Sequence, residues 1–187
     1  MYYFAYGSNM SLMRLRQRTP TARKVSVAAL DGYCLRFRKV SQRDGSAKCD
    51  AQQTGLPQDR VWGVVYRIAE AERGALDRAE GLGVGYRRAW VDVRLEGGEL
   101  CQTFLYLATL VDDRLRPFTW YKQHVLVGAW ENQLPEAYIR RIETAIACED
   151  EDRQRHQREM AIHRSTANAR AGSGDVPGDR DRDSTTC

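Results

Sequence analysis

Tyr2-Tyr3-Phe4-Ala5-Tyr6 runs straight into Gly7-Ser8-Asn9 and then into a helical pattern, and this opening restricts the fold more than any other stretch. The aromatic residues favour an extended backbone on a half-buried pleated surface. Gly7 lets the chain turn where a side chain would clash. Ser8, Asn9 and Ser11 supply oxygens suited to capping a helix predicted from Leu12, with the first helical N–H groups aimed into the turn. N–H groups at a helix start attract anions. The stretch therefore has two readings, a cradle for a carboxylate or phosphate and an ordinary capped strand-to-helix turn.

A chain of 187 residues with 42% hydrophobic content buries the core of one domain of roughly 150 residues, with sequence left over. No apolar run approaches the ~18 residues of a membrane helix, and the N-terminus lacks a basic stretch followed by a long apolar region and a cleavage site. The expectation is a soluble, cytoplasmic protein with no membrane partner. The five cysteines are scattered and form no C-x-x-C pair, and three histidines accompany them, so neither a disulfide framework nor a metal site follows. The net charge of +4 is mild. Arg14-Leu15-Arg16-Gln17-Arg18 reads as the wet face of a helix and Arg36-Phe37-Arg38-Lys39 as the outward side of a strand, so no nucleic-acid partner is expected.

Thr19-Pro20 breaks the first helix. Tyr33, Leu35 and Phe37 alternate with Cys34, Arg36 and Arg38 as in a strand wet on one face. Ser41 to Asp59 is polar, carries Asp44-Gly45 and Gly55-Leu56-Pro57, and is expected to be a long loop or irregular edge, with Lys48, Cys49 and Asp50 as its pocket-facing candidates. Val61 to Ile68 is apolar on both parities, as in a central strand, and Gly63 permits a bend or a close backbone approach. A short helix from Ala69 to Ala79 stops at Gly81. Ala89–Leu95 and Leu100–Leu107, joined by Glu96-Gly97-Gly98-Glu99, form the clearest hairpin. Trp120 to Asn132 is predicted helical, with Tyr121, Val125, Gly128 and Ala129 on one face. A further helix restarts at Leu134-Pro135 with Tyr138, Ile139, Ile142 and Ile146 as its apolar stripe. The composition changes after Cys148. Residues 1–148 are expected to form the domain and 149–187 a charged, disordered tail, of which Glu149 to Arg164 can extend as a charged helix.

Gly81, Gly83 and Gly85 follow a helix, whereas the dinucleotide fingerprint follows a strand and opens one, so a nucleotide loop is set aside. What remains is Glu80, a carboxylate at the last turn of a helix. The helix terminus and burial both disfavour its charge, which makes it an acid/base candidate; the alternative is a glutamate facing water.

Tyr3-Phe4-Ala5-Tyr6-Gly7-Ser8-Asn9-Met10, Val61-Trp62-Gly63-Val64-Val65-Tyr66, Leu76-Asp77-Arg78-Ala79-Glu80-Gly81 with Tyr86 behind it, and the late run Trp120-Tyr121-Lys122 through Gly128-Ala129, Glu131-Asn132 and Leu134 to Tyr138 together resemble the gamma-glutamylcyclotransferase (AIG2-like) family. The likeness is ordered along residues 1 to about 146. It implies an α+β fold, a barrel-like sheet of mixed strands with helices packed around it. It implies that Tyr3, Phe4, Ala5, Tyr6, Gly7, Ser8 and Asn9 line the site for the glutamyl end, that Glu80 is the acid/base, and that Tyr86 and Tyr121 border the pocket. The implied reaction closes a gamma-glutamyl group to 5-oxoproline and frees the attached amine, with no metal or organic cofactor and a small-molecule gamma-glutamyl substrate as the partner. The resemblance is compatible with a homodimer. Two other readings stay open: a binding module that has lost turnover, and a tailoring enzyme that removes a gamma-glutamyl protecting group from a metabolite.

Overall fold

The structure is a computed structural model and describes residues 1–163. In chain order it contains β1 (Tyr2–Ala5), a 3₁₀ turn (Ser8–Met10), α1 (Leu12–Arg16), β2 (Arg23–Asp31), β3 (Tyr33–Val40), β4 (Ala47–Gln53) and β5 (Arg60–Arg67). A second 3₁₀ turn (Glu70–Glu72) leads into α2 (Arg73–Glu80), followed by β6 (Tyr86–Leu95), β7 (Leu100–Ala108), α3 (Thr119–Glu131), α4 (Glu136–Glu143) and α5 (Arg153–Ala161). Five strands close into a barrel in the order β1-β5-β2-β6-β7. All pairings are antiparallel except the seam, where β1 meets β7 in parallel at Tyr3 opposite Phe104. This is the mixed-strand barrel with surrounding helices that the family likeness implies.

The doubly apolar pattern of β5 has its cause in this topology. The strand lies between β1 and β2, so Val61, Val64, Val65 and Tyr66 are all buried. Gly63 is the place where β5 comes closest to β1. A Cβ there would lie 2.4 Å from the Ala5 carbonyl oxygen and 2.8 Å from the Phe4 ring, so the close approach foreseen at Gly63 is real. The hairpin of β6 and β7 also forms, pairing Ala89 with Leu105 and Val93 with Cys101.

Three local expectations are corrected. Ser41 to Asp59 is not an extended loop, because Ala47–Gln53 is a strand paired with β3 in a two-stranded ribbon. Its polar residues are cross-strand partners: Arg38 donates to Asp50 at 2.9 Å, and Arg36 to Gln52 at 3.3 Å. Ser8, Asn9 and Ser11 make no capping bonds, and the side chain of Asn9 is engaged elsewhere. Ile146 is exposed, since α4 ends at Glu143, leaving Tyr138 and Ile142 as its buried positions.

The charged helix expected after Glu149 is α5, and it docks on α3 through polar contacts. Trp120 Nε1 donates to Asp150 at 2.8 Å, Arg14 pairs with Glu159 at 2.8 Å, and His124 bonds the same carboxylate at 2.9 Å. The expectation of disorder at Ala171 to Thr186 lies outside the described residues. No helix among the described residues is long and apolar enough to cross a membrane.

Candidate active site

The site lies where the turn after β1 meets the C-terminal end of α2. Gly7 has to be small here. A Cβ on it would sit 3.1 Å from the Cys49 Cβ and 3.4 Å from the Tyr121 hydroxyl. Behind the turn, α3 comes equally close, since a Cβ on Gly128 would fall 2.6 Å from that of Met10 and 2.7 Å from the Ser11 nitrogen. Tyr66 donates to the Met10 carbonyl at 2.5 Å and Asn132 at 3.0 Å. The opening segment is thus clamped between β5 and α3, and its backbone is held still for whatever enters the cleft.

α2 delivers Glu80 to this place and stops there, because Gly81 adopts the left-handed conformation (φ 69°) that ends a helix. One carboxylate oxygen of Glu80 accepts from Asn9 Nδ2 at 2.8 Å and from Arg18 Nη1 at 3.0 Å. Asn9 Nδ2 also lies 3.0 Å from the Tyr3 hydroxyl, and Arg18 donates back to Asn9 Oδ1 at 2.5 Å. Residues 71 positions apart in the chain are therefore joined by one side-chain amide.

The inner cleft is lined by Tyr3, Tyr6, Gly7, Ser8, Asn9, Cys49, Glu80, Tyr86, Tyr106 and Tyr121. Its hydroxyls are fixed by neighbours: Tyr86 donates to the Cys49 carbonyl at 2.7 Å, Tyr121 accepts from the Cys49 N–H at 3.1 Å, Tyr106 donates to Asp77 at 2.8 Å, and Tyr6 donates to the Tyr106 carbonyl. Burial pushes the phenols of Tyr3, Tyr6, Tyr86, Tyr106 and Tyr121 above their ordinary value and the Cys49 thiol up to about 12. All of these groups keep their protons at neutral pH. Glu80 is the one carboxylate lining the inner cleft among the described residues.

The cleft itself is narrow, about 30 Å³, enough for a group the size of one or two waters. It shares Ser8, Glu80, Tyr86 and Tyr121 with an outer basin of about 450 Å³. Any sizeable substrate must therefore place most of its bulk in the basin.

Of the residues named from sequence, Tyr3, Tyr6, Gly7, Ser8, Asn9, Glu80, Tyr86 and Tyr121 meet at this cleft. Phe4 and Ala5 do not. Both are fully buried in the barrel core, because alternation along β1 turns Phe4 away from the cleft and Ala5 packs against Gly63. Tyr106 and Arg18 are additions. Tyr106 stands in a hairpin strand whose apolar pattern hides it, and Arg18 belongs to a basic run that reads as solvated.

Residues 60–142 match the AIG2-like family. Over 141 residues, 73% of each chain, the sequence is 35% identical to the gamma-glutamylcyclotransferase of Mus musculus, and equally to that of Homo sapiens. The chain belongs to the gamma-glutamylcyclotransferase family. A solved structure named gamma-glutamyl cyclotransferase superposes with a TM-score of 0.78 at 29% identity, covering 87% of this chain and 97% of the other. In this chain the barrel, α2 and the packing of α3 behind the turn are the scaffold that brings Glu80 to the glycine turn.

Proposed function

We propose that the protein is a cyclotransferase that converts a gamma-glutamyl amide into 5-oxoproline and the free amine, with Glu80 as the proton carrier. The observation that carries this reading is the position of Glu80: a carboxylate held by Asn9 and Arg18 at the mouth of a cleft whose other acidic groups keep their protons.

The substrate contains both nucleophile and electrophile, so the protein has to fold it into a ring-closing shape and manage protons. Glu80 takes a proton from the alpha-ammonium, and the freed amine attacks the side-chain amide carbonyl. As the ring closes the attacking nitrogen gives up a second proton, the C–N bond to the leaving amine breaks with Glu80 delivering a proton to that nitrogen, and the two protons lost by the alpha-ammonium end on the released amine as its ammonium, so no net proton is consumed. Backbone N–H groups at Gly7 and Ser8 hold either the alpha-carboxylate or the developing oxyanion. The fixed phenols of Tyr3, Tyr86 and Tyr121 exclude water from the reacting atoms, which also strengthens those contacts.

The test is Glu80→Gln, which keeps the hydrogen bond to Asn9 and removes the base. Release of 5-oxoproline is expected to drop by roughly 10² to 10⁴ with the melting temperature little changed. Near-normal release by a folded variant would take Glu80 out of the role.

A further inference from the structure

One phenol of the inner cleft has no part in the steps above. Tyr106 stands on β7, is only 3% exposed, and donates its hydroxyl to Asp77 Oδ1 at 2.8 Å. Its backbone carbonyl accepts from the hydroxyl of Tyr6, the residue before Gly7. Its ring meets those of Tyr3 and Tyr86 edge-on, with centroids 5.8 Å and 6.4 Å away. Tyr106 is therefore tied to the glycine turn through its backbone and to α2 through its side chain. Those are the two pieces of chain that form the site.

Asp77 lies about one turn before Glu80 on α2, and its main chain and side chain both restrain the end of that helix. Its carbonyl accepts from the Leu82 N–H at 2.9 Å while the Arg78 carbonyl accepts from that of Gly81 at 3.2 Å, the pair of bonds that folds a chain back after a glycine-terminated helix. Its carboxylate takes the Tyr106 hydroxyl, with Arg88 Nε 3.6 Å from the same oxygen. Other restraints on α2 are few. The helix has eight residues and one buried side chain, Leu76, and a helix this short owes its position to tertiary contacts. Glu80 does not supply the missing restraint. Asn9 and Arg18 both bind its Oε1, and Oε2 makes no hydrogen bond among the described residues, so the carboxylate is pinned at one oxygen and pivots about it unless the helix behind is fixed.

We propose that Asp77 is a positioning residue: by accepting the Tyr106 hydroxyl it braces α2 against β7 and holds the Glu80 carboxylate in the orientation that exchanges protons with the substrate's nitrogens. The inference rests on the cyclotransferase reading and adds to it a pair of residues that handles no proton of the reaction. Tyr106 walls the cleft with its ring, while its own hydroxyl proton is committed to Asp77. The brace fixes a proton carrier and not a substrate contact. Its loss therefore falls on kcat and leaves KM near its original value.

The experiment follows 5-oxoproline release from a panel of gamma-glutamyl amino acids and amines, with a thermal melt of each variant beside it. On the best wild-type substrate, Tyr106→Phe, which keeps the ring and removes the hydroxyl, is expected to lower kcat by roughly ten- to a hundredfold, as for a base displaced by up to about 1 Å, with KM little changed. Asp77→Ala should do the same. Asp77→Asn still offers an oxygen to the phenol and should recover most of the lost rate. The double variant of Tyr106→Phe with Asp77→Ala should be no slower than the slower single one, because the two changes remove one bond. Three outcomes overturn the role: a lower melting temperature at full kcat, losses that multiply in the double variant, or a change confined to KM, which would make Tyr106 a substrate contact. Should Asp77→Ala fail to fold, Tyr106→Phe and Asp77→Asn decide the matter, and equal losses of kcat in these two count against the brace. If the wild type releases 5-oxoproline from no member of the panel, the cyclotransferase reading falls and the inference with it. An active wild type whose rate survives Asp77→Ala removes only the brace.

Discussion

Glu80 is held by two residues from the first helical region, and each has a separate effect on it. Asn9 fixes its position through a bond to one oxygen, while Arg18 brings a positive charge to 3.0 Å from that same oxygen. Position in the sequence disclosed Glu80 as a carboxylate ending a helix before a glycine turn, and disclosed Asn9 as part of the opening turn. Arg18 was illegible because nothing in a local pattern separates an arginine on a wet helix face from one that folds back 62 residues to meet a carboxylate. Capping was misjudged for the same reason: Asn9 is a good cap by type, but its amide is taken by Tyr3 and Glu80. Asn9→Ala removes the positioning bond and leaves the base. Turnover is expected to fall by up to roughly 10²-fold, as for a catalytic group displaced by about 1 Å. The lost hydrogen bonds cost about 1–3 kcal/mol of stability. Steady-state rates read beside thermal melts separate the two effects, and unchanged turnover in a destabilised protein would remove Asn9 from the catalytic arrangement.

Elements with a strong apolar pattern were legible from sequence, and α5 was foreseen as a charged helix, but β4 and the docking of α5, both of which rest on polar contacts, were not. β5 follows from its continuous apolar run, the hairpin of β6 and β7 from two strand patterns joined by a glycine turn, and α3 from its apolar face of Tyr121, Val125, Gly128 and Ala129. β4 was hidden because its polar residues pair with β3 through Arg38–Asp50, and Asp44 with Lys48 and Ser46 braces the turn before it. α5 has the same character, with few apolar residues but an anchor of Glu159 against Arg14 and His124, and of Asp150 against Arg155 and Trp120. That anchor predicts acid sensitivity. Burial lowers His124 to about 4, against the pull of Glu159, so between about 6.5 and 4 the unfolded chain binds a proton that the folded one refuses, and stability falls as pH falls through that window. Burial opposes charge on Glu159, yet its bonds to His124 and Arg14 hold it at about 2; its contribution is full above 4.5 and is lost as pH falls from there toward 2. The two windows join, so the melting temperature should decline steadily from pH 7 to pH 3. Glu159→Gln should flatten the decline below pH 4.5, and a melting temperature independent of pH, or an unaltered slope in that variant, would contradict this account of the docking.

At the scale of the whole molecule, the cleft exists because the barrel closes. The parallel seam of β1 with β7 puts Tyr3 beside Phe104 and Tyr106, and the pairing of β1 with β5 fixes where the chain leaves the barrel into Gly7. Closure was not readable from periodicity, which counts strands but does not say which edge meets which; the family likeness supplied it. The tightest point of the closure is Gly63, where an added methyl would meet the Ala5 carbonyl at 2.4 Å and the Phe4 ring at 2.8 Å. A buried carbonyl in a strand cannot swing aside as a lysine end can. Gly63→Ala must therefore push β1 off β5, at a cost of about 1–3 kcal/mol for overpacking, or roughly 2–4 °C of melting temperature for each kcal/mol. The displaced strand leads directly into Tyr6, Gly7 and Ser8, so turnover should fall along with stability, although Gly63 touches no part of the cleft. Gly74→Ala is the matched control, since it lies on α2, the helix that carries Glu80, and has only an Arg78 nitrogen within 4 Å, at 3.5 Å. It should leave both quantities near their original values. If Gly63→Ala lowers the melting temperature but keeps full turnover, then β1 transmits no strain to the turn, and the barrel holds the site less rigidly than the close approach of β5 requires.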